Sequence, residues 1–226
     1  MGLILAIETA TADGSVAVHD GDVVEVRELG EQRNHAKNLA TTVQTLIAGR
    51  FEDIDGYALS IGPGSFTGLR VGLAFLKGLA AVVPRPVVPV STLEVMAAGI
   101  FHHHPYAQLA LPVLDARRDE VFAGLFTPSG ADPRLPVSIV SATSLSQRMH
   151  GVGEGMYAGG DGTRLDLGPN APWAIAREEA HVPSAAILAS LGAARLHEEG
   201  RDVDTVAPVY LQVSAAEQNL GIRAGV

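Results

Sequence analysis

The 226-residue chain contains no cysteine. That absence excludes disulfides, thiolate nucleophiles and zinc–thiolate sites together. Charge is sparse as well: charged residues make up 18% against 47% hydrophobic, a balance that rules out a disordered chain and allows a sizeable core. Basic residues are the scarcer sign, 16 against 25 acidic, for a formal charge of −9. Phosphate neutralisation supplies most nucleic-acid affinity, so the chain alone is not expected to hold nucleic acid tightly. Long hydrophobic runs are missing. The longest, 71–83, is broken by Lys77 and Gly78 and is too short to span a bilayer. The N-terminus has no basic region or cleavage signal, and Met1-Gly2 lacks the Ser or Thr of a myristoylation signal. A soluble, cytoplasmic protein is the expectation.

What is present alternates in period. Leu3–Ile7 is a continuous apolar run, as in a buried strand. Asp13-Gly14 and Asp20-Gly21-Asp22 read as turns around the strands 15–19 and 23–27, giving an antiparallel meander. Asn34 then caps an expected helix with Ala36, Leu39, Ala40, Val43, Leu46 and Ile47 on one face, ended by Gly49. Strand 57–61, a glycine loop, helix 67–81, strand 86–90 and helix 92–99 follow, which predicts a mixed sheet with helices on its faces. His102-His103-His104-Pro105 reads as a solvated loop and a boundary. Beyond it come strands 108–113 and 120–126 around a salt-bridged tip at 115–119, then Pro- and Gly-rich loops. A helix capped by Ser184 and stopped by Gly200 closes the pattern.

The stretch Gly62-Pro-Gly-Ser-Phe-Thr-Gly-Leu-Arg70 carries the most information. Glycines between a buried strand and a helix permit a sharp turn and close approach, and free amides at a helix start can hold an anion. The stretch is not a Walker A loop, since no Gly-Lys-Ser/Thr follows. Its glycine spacing is wrong for a dinucleotide fold, and no acidic residue lies between Asp55 and Glu94 to hold a ribose. It is not a nucleophile elbow, because Pro63 stands two residues before Ser65. Two readings stay open: a phosphate cradle with Glu8, Ser15, Gly62, Gly64 and Ser65, or a packing turn with Ser65 or Thr67 capping the helix. Helix 67–81 is apolar on nearly all sides, with only Arg70 and Lys77 charged, so half of it needs a second helix or another chain as cover. Gly68, Gly72 and Gly78 leave grooves for such an approach.

These pieces in order resemble the TsaB (YeaZ) family: residues 4–9, 14–18, Gly62–Gly72, Val90–Leu93, Asp115-Ala-Arg-Arg-Asp-Glu-Val121 and Pro208-Val-Tyr-Leu211. The resemblance covers nearly the whole chain. It implies an α/β fold of the actin-like ATPase (ribonuclease H-like) type, with two lobes each holding a mixed sheet flanked by helices. It also implies a role beside TsaD and TsaE in making N6-threonylcarbamoyladenosine at position 37 of tRNAs that read codons beginning with A. In that scheme TsaD performs the transfer and TsaB is a non-catalytic subunit. TsaD-type relatives place a metal-binding His-x-x-x-His pair where this chain has Thr92 and Met96, neither of them a ligand for a hard metal, so no metal is expected. One departure is Gln212, where the family motif has arginine.

The expectations are therefore an N-terminal lobe over 1–100 carrying the docking helices, and a smaller C-terminal lobe over 101–226 whose last residues pack back or are mobile. The expected partner or homodimer face comprises Leu39, Val43, Leu46, Leu69, Gly72, Leu73, Leu76 and Lys77, so that Gly72→Glu or Leu76→Asp would break assembly and spare the fold. ATP or ADP is expected at most at the interface of the full complex, tRNA contact only through the complex, and no membrane contact. The alternatives are an independent nucleotide-binding enzyme and, with less weight, a peptidase acting on TsaD, for which the sequence positions no base near Ser65 and leaves His181 and Asp115 merely available.

Overall fold

The computed structural model describes residues 2–21, 23–132 and 134–212. The segment 213–226, expected to be mobile, lies outside the described residues. The chain forms two compact units, Met1–Val95 with Pro183–Pro208, and Met96–Val182 with Val209–Val226.

In the first unit, β1 (Leu3–Glu8), β2 (Asp13–Asp20) and β3 (Val23–Glu31) form the antiparallel meander. After α1 (His35–Ile47), β4 (Ile54–Ser60), α2 (Phe66–Ala80) and β5 (Val87–Val90) complete a sheet of order β3-β2-β1-β4-β5, with β4 parallel to β1 and β5 parallel to β4. Every residue of β1 is buried, so both faces of the sheet need cover. Alternation sends Leu3, Leu5 and Ile7 to one face, where they pack with Leu39, Val43, Leu46 and Ile47 of α1 and Leu76 and Ala80 of α2. Ile4 and Ala6 point the other way, together with Ala17, Ala58, Val88 and Val90. That second face is covered by α5 (Ala185–Glu199), through Ala185, Leu188 and Ala189.

The placement of α5 corrects the expected division at residue 100. A two-faced sheet cannot be closed by α1 and α2, which lie on one side, so the chain returns after residue 182 to supply the other layer. Gly192 lets α5 come close, since a Cβ there would lie 2.6 Å from the Ala58 side chain. The expected caps are present at this helix: Ser184 Oγ accepts the Ala186 N–H at 3.2 Å, and Gly200 is the C-cap.

The division between units falls inside α3 (Thr92–His103). This helix runs four residues past its expected end at Gly99. A lone glycine costs a helix about 1 kcal/mol but does not stop it, whereas Pro105 disfavours helical geometry just before it. His102 and His103 are therefore in the last helical turn, not in a loop.

The second unit contains β6 (Leu109–Arg117), β7 (Glu120–Ala123), β8 (Phe126–Thr127), β9 (Gly130–Ala131), β10 (Ser138–Ser141), α4 (Leu145–Met149), β11 (Met156–Gly159) and β12 (Ala174–Ile175). Its main sheet has the order β10-β7-β6-β11-β12. The β6–β7 and β7–β10 pairs are antiparallel, and β11 is parallel to both β6 and β12. Order and direction thus repeat those of the first unit strand for strand, and α4 follows β10 as α1 follows β3.

The tip between β6 and β7 is held differently from expectation. Arg117, Arg118 and Asp119 have φ of 67°, 56° and 61°, the hand that two-residue hairpin turns require. Among the described residues no ion pair joins the tip side chains. Backbone acceptors and donors hold it instead: Asp115 Oδ1 accepts the Arg117 N–H at 2.6 Å. The Gln212 amide donates to the Ala116 carbonyl at 2.9 Å and to Glu120 Oε2 at 3.2 Å. Glutamine thus reaches a carboxylate that an arginine at this position could pair with.

If α5 is a structural layer of the first unit, Leu188→Ala, at a fully buried position, should lower unfolding free energy by about 2–5 kcal/mol. Urea denaturation checks this; a loss near zero would mean that α5 is not part of that core.

Candidate functional site

The glycine loop leaves β4 and turns through a cis Gly62–Pro63 bond, with Gly62 at φ 108°. Three of its polar groups are engaged within the chain. The Gly62 carbonyl accepts the Thr92 N–H at 2.8 Å, and the Ser65 N–H donates to the Ala10 carbonyl at 2.7 Å. Ser65 caps α2, its hydroxyl accepting the Gly68 N–H at 3.2 Å. A Cβ at Gly64 would overlap the Ala10 carbonyl oxygen, one at Gly68 the Thr9 carbonyl oxygen, and one at Gly72 the Thr9 hydroxyl. The space these glycines clear is filled by the chain's own β1–β2 connection. Of the two readings left open, the packing turn with Ser65 as the cap is the arrangement the chain's own contacts form.

The other candidate phosphate residues are also committed elsewhere. Ser15 Oγ accepts the Ala185 N–H at 3.1 Å, so it anchors the start of α5. Glu8 is fully buried. Its Oε1 accepts the Ala10 N–H at 2.6 Å, while Oε2 makes no geometric hydrogen bond. Burial pushes this carboxyl up to about 7, against smaller opposite effects from the Ser60 hydroxyl and the Ala10 N–H. Ser60 Oγ lies 2.8 Å from Thr92 Oγ1, closing the carboxyl ends of β4 and β5.

The expected docking residues divide unevenly. Leu39, Val43, Leu46, Leu69 and Leu76 are at most 3% exposed, and Gly72 is buried. These six face the unit's own core, because the sheet takes the inward stripe of both helices; Gly72→Glu or Leu76→Asp would damage the fold. Ala36 and Ala40, placed on the inward face by periodicity, are exposed. Leu73 and Lys77 do reach the surface, and Lys77 Nζ lies 3.5 Å from Asp204 Oδ1.

The open side of α2 is carried by residues that periodicity did not single out. Ala74, Phe75, Gly78, Leu79 and Val82 line a groove of about 740 Å³ with Phe51, Val83, Pro84 and Arg85. Val82 is 80% exposed. The groove floor is pinned by Tyr57, whose hydroxyl donates to the Val83 carbonyl at 2.8 Å, and by Arg85, bonded to the Ile54 and Glu52 carbonyls. A Cβ at Gly78 would meet nothing within 4 Å, so among the described residues no contact asks for glycine there. The available signal was Gly78 itself, one of the three glycines read as leaving a groove, with Ala74 one turn before it.

Of the two positions compared above with the histidine pair of TsaD-type relatives, Thr92 is bonded to Ser60 and Met96 is buried. Among the described residues no group of three or more His, Asp or Glu is placed to hold a metal. No helix among them is long and apolar enough to cross a membrane.

Two measurements test this geometry. Gly68→Ala should destabilise by about 1–3 kcal/mol through backbone overlap, while Gly78→Ala should stabilise by up to about 1 kcal/mol; equal effects would contradict the seating described. For Glu8, the folded pKa of about 7 exceeds the unfolded 4.5. The stability it carries is complete below pH 4.5 and is lost as pH rises through 7, a fall of about 3 kcal/mol. Glu8→Gln should flatten that slope and leave the variant more stable than wild type at pH 8. An unchanged slope in urea melts across this window would refute the assignment.

Comparisons with known proteins agree with the fold. A family model described as TsaD, tRNA N6-adenosine threonylcarbamoyltransferase, matches residues 30–132. The Escherichia coli K12 protein named tRNA threonylcarbamoyladenosine biosynthesis protein TsaB is 32% identical over 96% of this chain and 97% of its own length. The Haemophilus influenzae protein of the same name is 37% identical over 53% of this chain, a match spanning 51% of that protein. Two solved Pseudomonas aeruginosa structures superpose, each 26% identical and fully covered. One is YeaZ, at TM-score 0.79 over 93% of this chain, and the other a protein described as similar to peptidase YEAZ, at 0.83 over 94%. They share the α/β fold of this chain, two units each built on a mixed sheet. The near full-length identity to the E. coli protein settles the lineage: this chain belongs to the TsaB family.

Proposed function

We propose that the chain is a non-catalytic subunit in the synthesis of tRNA N6-threonylcarbamoyladenosine, docking TsaD through the open side of α2 and supporting its transfer reaction together with TsaE. The observation that carries this reading is the exposed apolar groove beside Gly78, on a side of α2 that no other helix of its unit covers among the described residues. Apolar surface of this kind marks an interaction site. The docking residues are Leu73, Ala74, Phe75, Lys77, Gly78, Leu79 and Val82, in place of the six buried ones. The TsaD family model overlaps the segment holding α1, α2 and α3, which supports pairing of like helices across a pseudo-twofold axis. In the absence of TsaD the same face would join two copies of this chain isologously.

A filled glycine loop, a buried Glu8 and the absence of histidine at 92 and 96 favour a subunit without chemistry of its own over an independent nucleotide-dependent enzyme. We place any ATP or ADP at the interface of the full complex. The peptidase alternative finds no support in the three residues it needs. Ser65 Oγ is bonded to Gly68 and Asp115 Oδ1 to Arg117. His181 Nδ1 lies against Gly160 and Nε2 against the Ala176 carbonyl.

Threonylcarbamoyl transfer by purified TsaD and TsaE, with and without this chain, tests the role; equal product in both would end it. Gly78→Arg, where the side chain meets open space, should keep the melting temperature. It should also weaken TsaD association at least about tenfold, as expected for a charge in an interface core, and abolish stimulation. Retained association and stimulation in this variant would rule out the α2 face.

A further inference from the structure

The five-stranded sheet of the first unit has two edges, and the chain closes only one of them along its length. β5 is short and carries Pro89, and Arg201 exchanges two backbone hydrogen bonds with Val87 on its outer side, at 2.8 and 3.0 Å. β3 is nine residues long, and among the described residues it pairs with β2 alone. Its far end is covered by α1: Asn38 donates to the Leu29 carbonyl at 2.9 Å, and His35 Nε2 lies 3.0 Å from the Gly30 carbonyl. Residues 24–28 are exposed on both faces. Alternation puts Val24 and Val26, 37% and 40% exposed, on the α5 side with Ala17. Glu25 and Arg27 stand on the other side, and their side chains meet at 2.5 Å. Edge strands are ordinarily protected by shortness, proline, lysine or cover. Residues 24–28 contain no proline or lysine, and their charges are of both signs.

We propose that β3 is an interface between copies of this chain, pairing antiparallel with β3 of a second copy about a twofold axis at Val26. Such an axis sets residues equally far before and after Val26 opposite each other. Glu25 of each copy then faces Arg27 of the other, around a central valine pair, and Glu28 faces Val24. Opposite charges and β-branched residues set directly across an antiparallel pair stabilise it. A register centred on Glu25 or on Arg27 would instead set like charges face to face, so the sequence selects one alignment. In the single chain Arg27 Nη1 donates to the Val26 carbonyl at 2.9 Å; in the pair that acceptor would pass to the facing strand. Self-complementary charge is what singles out a second copy as the occupant. β3 and β5 are opposite edges of the sheet, and α2 leads into β5. The contact is therefore separate from the α2 groove and does not rest on the function proposed above.

The test is sedimentation equilibrium of the full chain over a concentration series, in a Gly78→Arg background so that the α2 face does not contribute. The dimer should persist in that background. Glu25→Arg turns both opposite-charge pairs into like-charge pairs and should raise the dimer Kd at least about tenfold. Its fold should be unaffected, since both side chains are about half exposed. Adding Arg27→Glu reverses the charges together and should return the Kd to within about threefold of the parent. A monomer throughout the series in Gly78→Arg would overturn the proposal and leave the α2 face as the contact between copies. An undiminished dimer in Glu25→Arg, or one that the charge swap does not restore, would overturn it too. TsaD association should not respond to Glu25→Arg; a loss there would make β3 a contact for TsaD and end its assignment to a second copy.

Discussion

The seating of α2 on the backbone of Thr9 and Ala10 sets the geometry of the first unit. The contact is made through Gly64, Gly68 and Gly72, at each of which a Cβ would overlap Thr9 or Ala10. Once those glycines face β1, the helix has no rotational freedom left. Leu69, Leu76 and Ala80 follow them inward, and Ala74, Gly78 and Val82 are turned out. Ser65 fastens the same junction twice, through its N–H to Ala10 and its hydroxyl to Gly68. An exposed face on α2 is thus a consequence of the way its other face is held.

How much of this could be read from residues alone depends on the range of the interaction. Strand alternation and turn chemistry are local, and they yielded the meander, the β4–α2–β5–α3 alternation and the Ser184 cap. The run Leu3–Ile7 also announced a sheet buried on both faces. It could not say that the second layer would come from α5, more than 170 residues later, because helical periodicity names a buried face but not the sheet that buries it. The glycine loop failed for the same reason. Its residues encode close approach; whether a ligand or Thr9–Ala10 comes close is decided by a segment more than fifty residues away. A helix apolar on all sides carries no periodic signal at all, so Leu69, Gly72 and Leu76 could not be told from Phe75, Gly78 and Val82 until the seat was known.

The repeated strand order gives both units the architecture in which ligands gather at the carboxyl ends of parallel strands. In the first unit those ends carry Glu8, Ser60 and Thr92. Ser60 and Thr92 are bonded to each other, and Glu8 is buried under the β1–β2 connection. The β1–β2 connection thus lies over that end of the sheet. Among the described residues of this unit, an apolar surface remains uncovered laterally, along α2, and the docking proposed above would use it.

A buried acid and an uncovered apolar groove both make the isolated chain less stable than its core alone would allow. Holding Glu8 out of water weakens the folded state by about 3 kcal/mol above neutral pH, from its pKa of about 7. A partner that binds only the folded state, present at a hundred times its Kd, returns about 2.7 kcal/mol by mass action. The two quantities are of the same size. If a partner docks at the groove beside Gly78, as proposed above, association at that concentration would offset the cost of the buried Glu8, because both act on the same folded state.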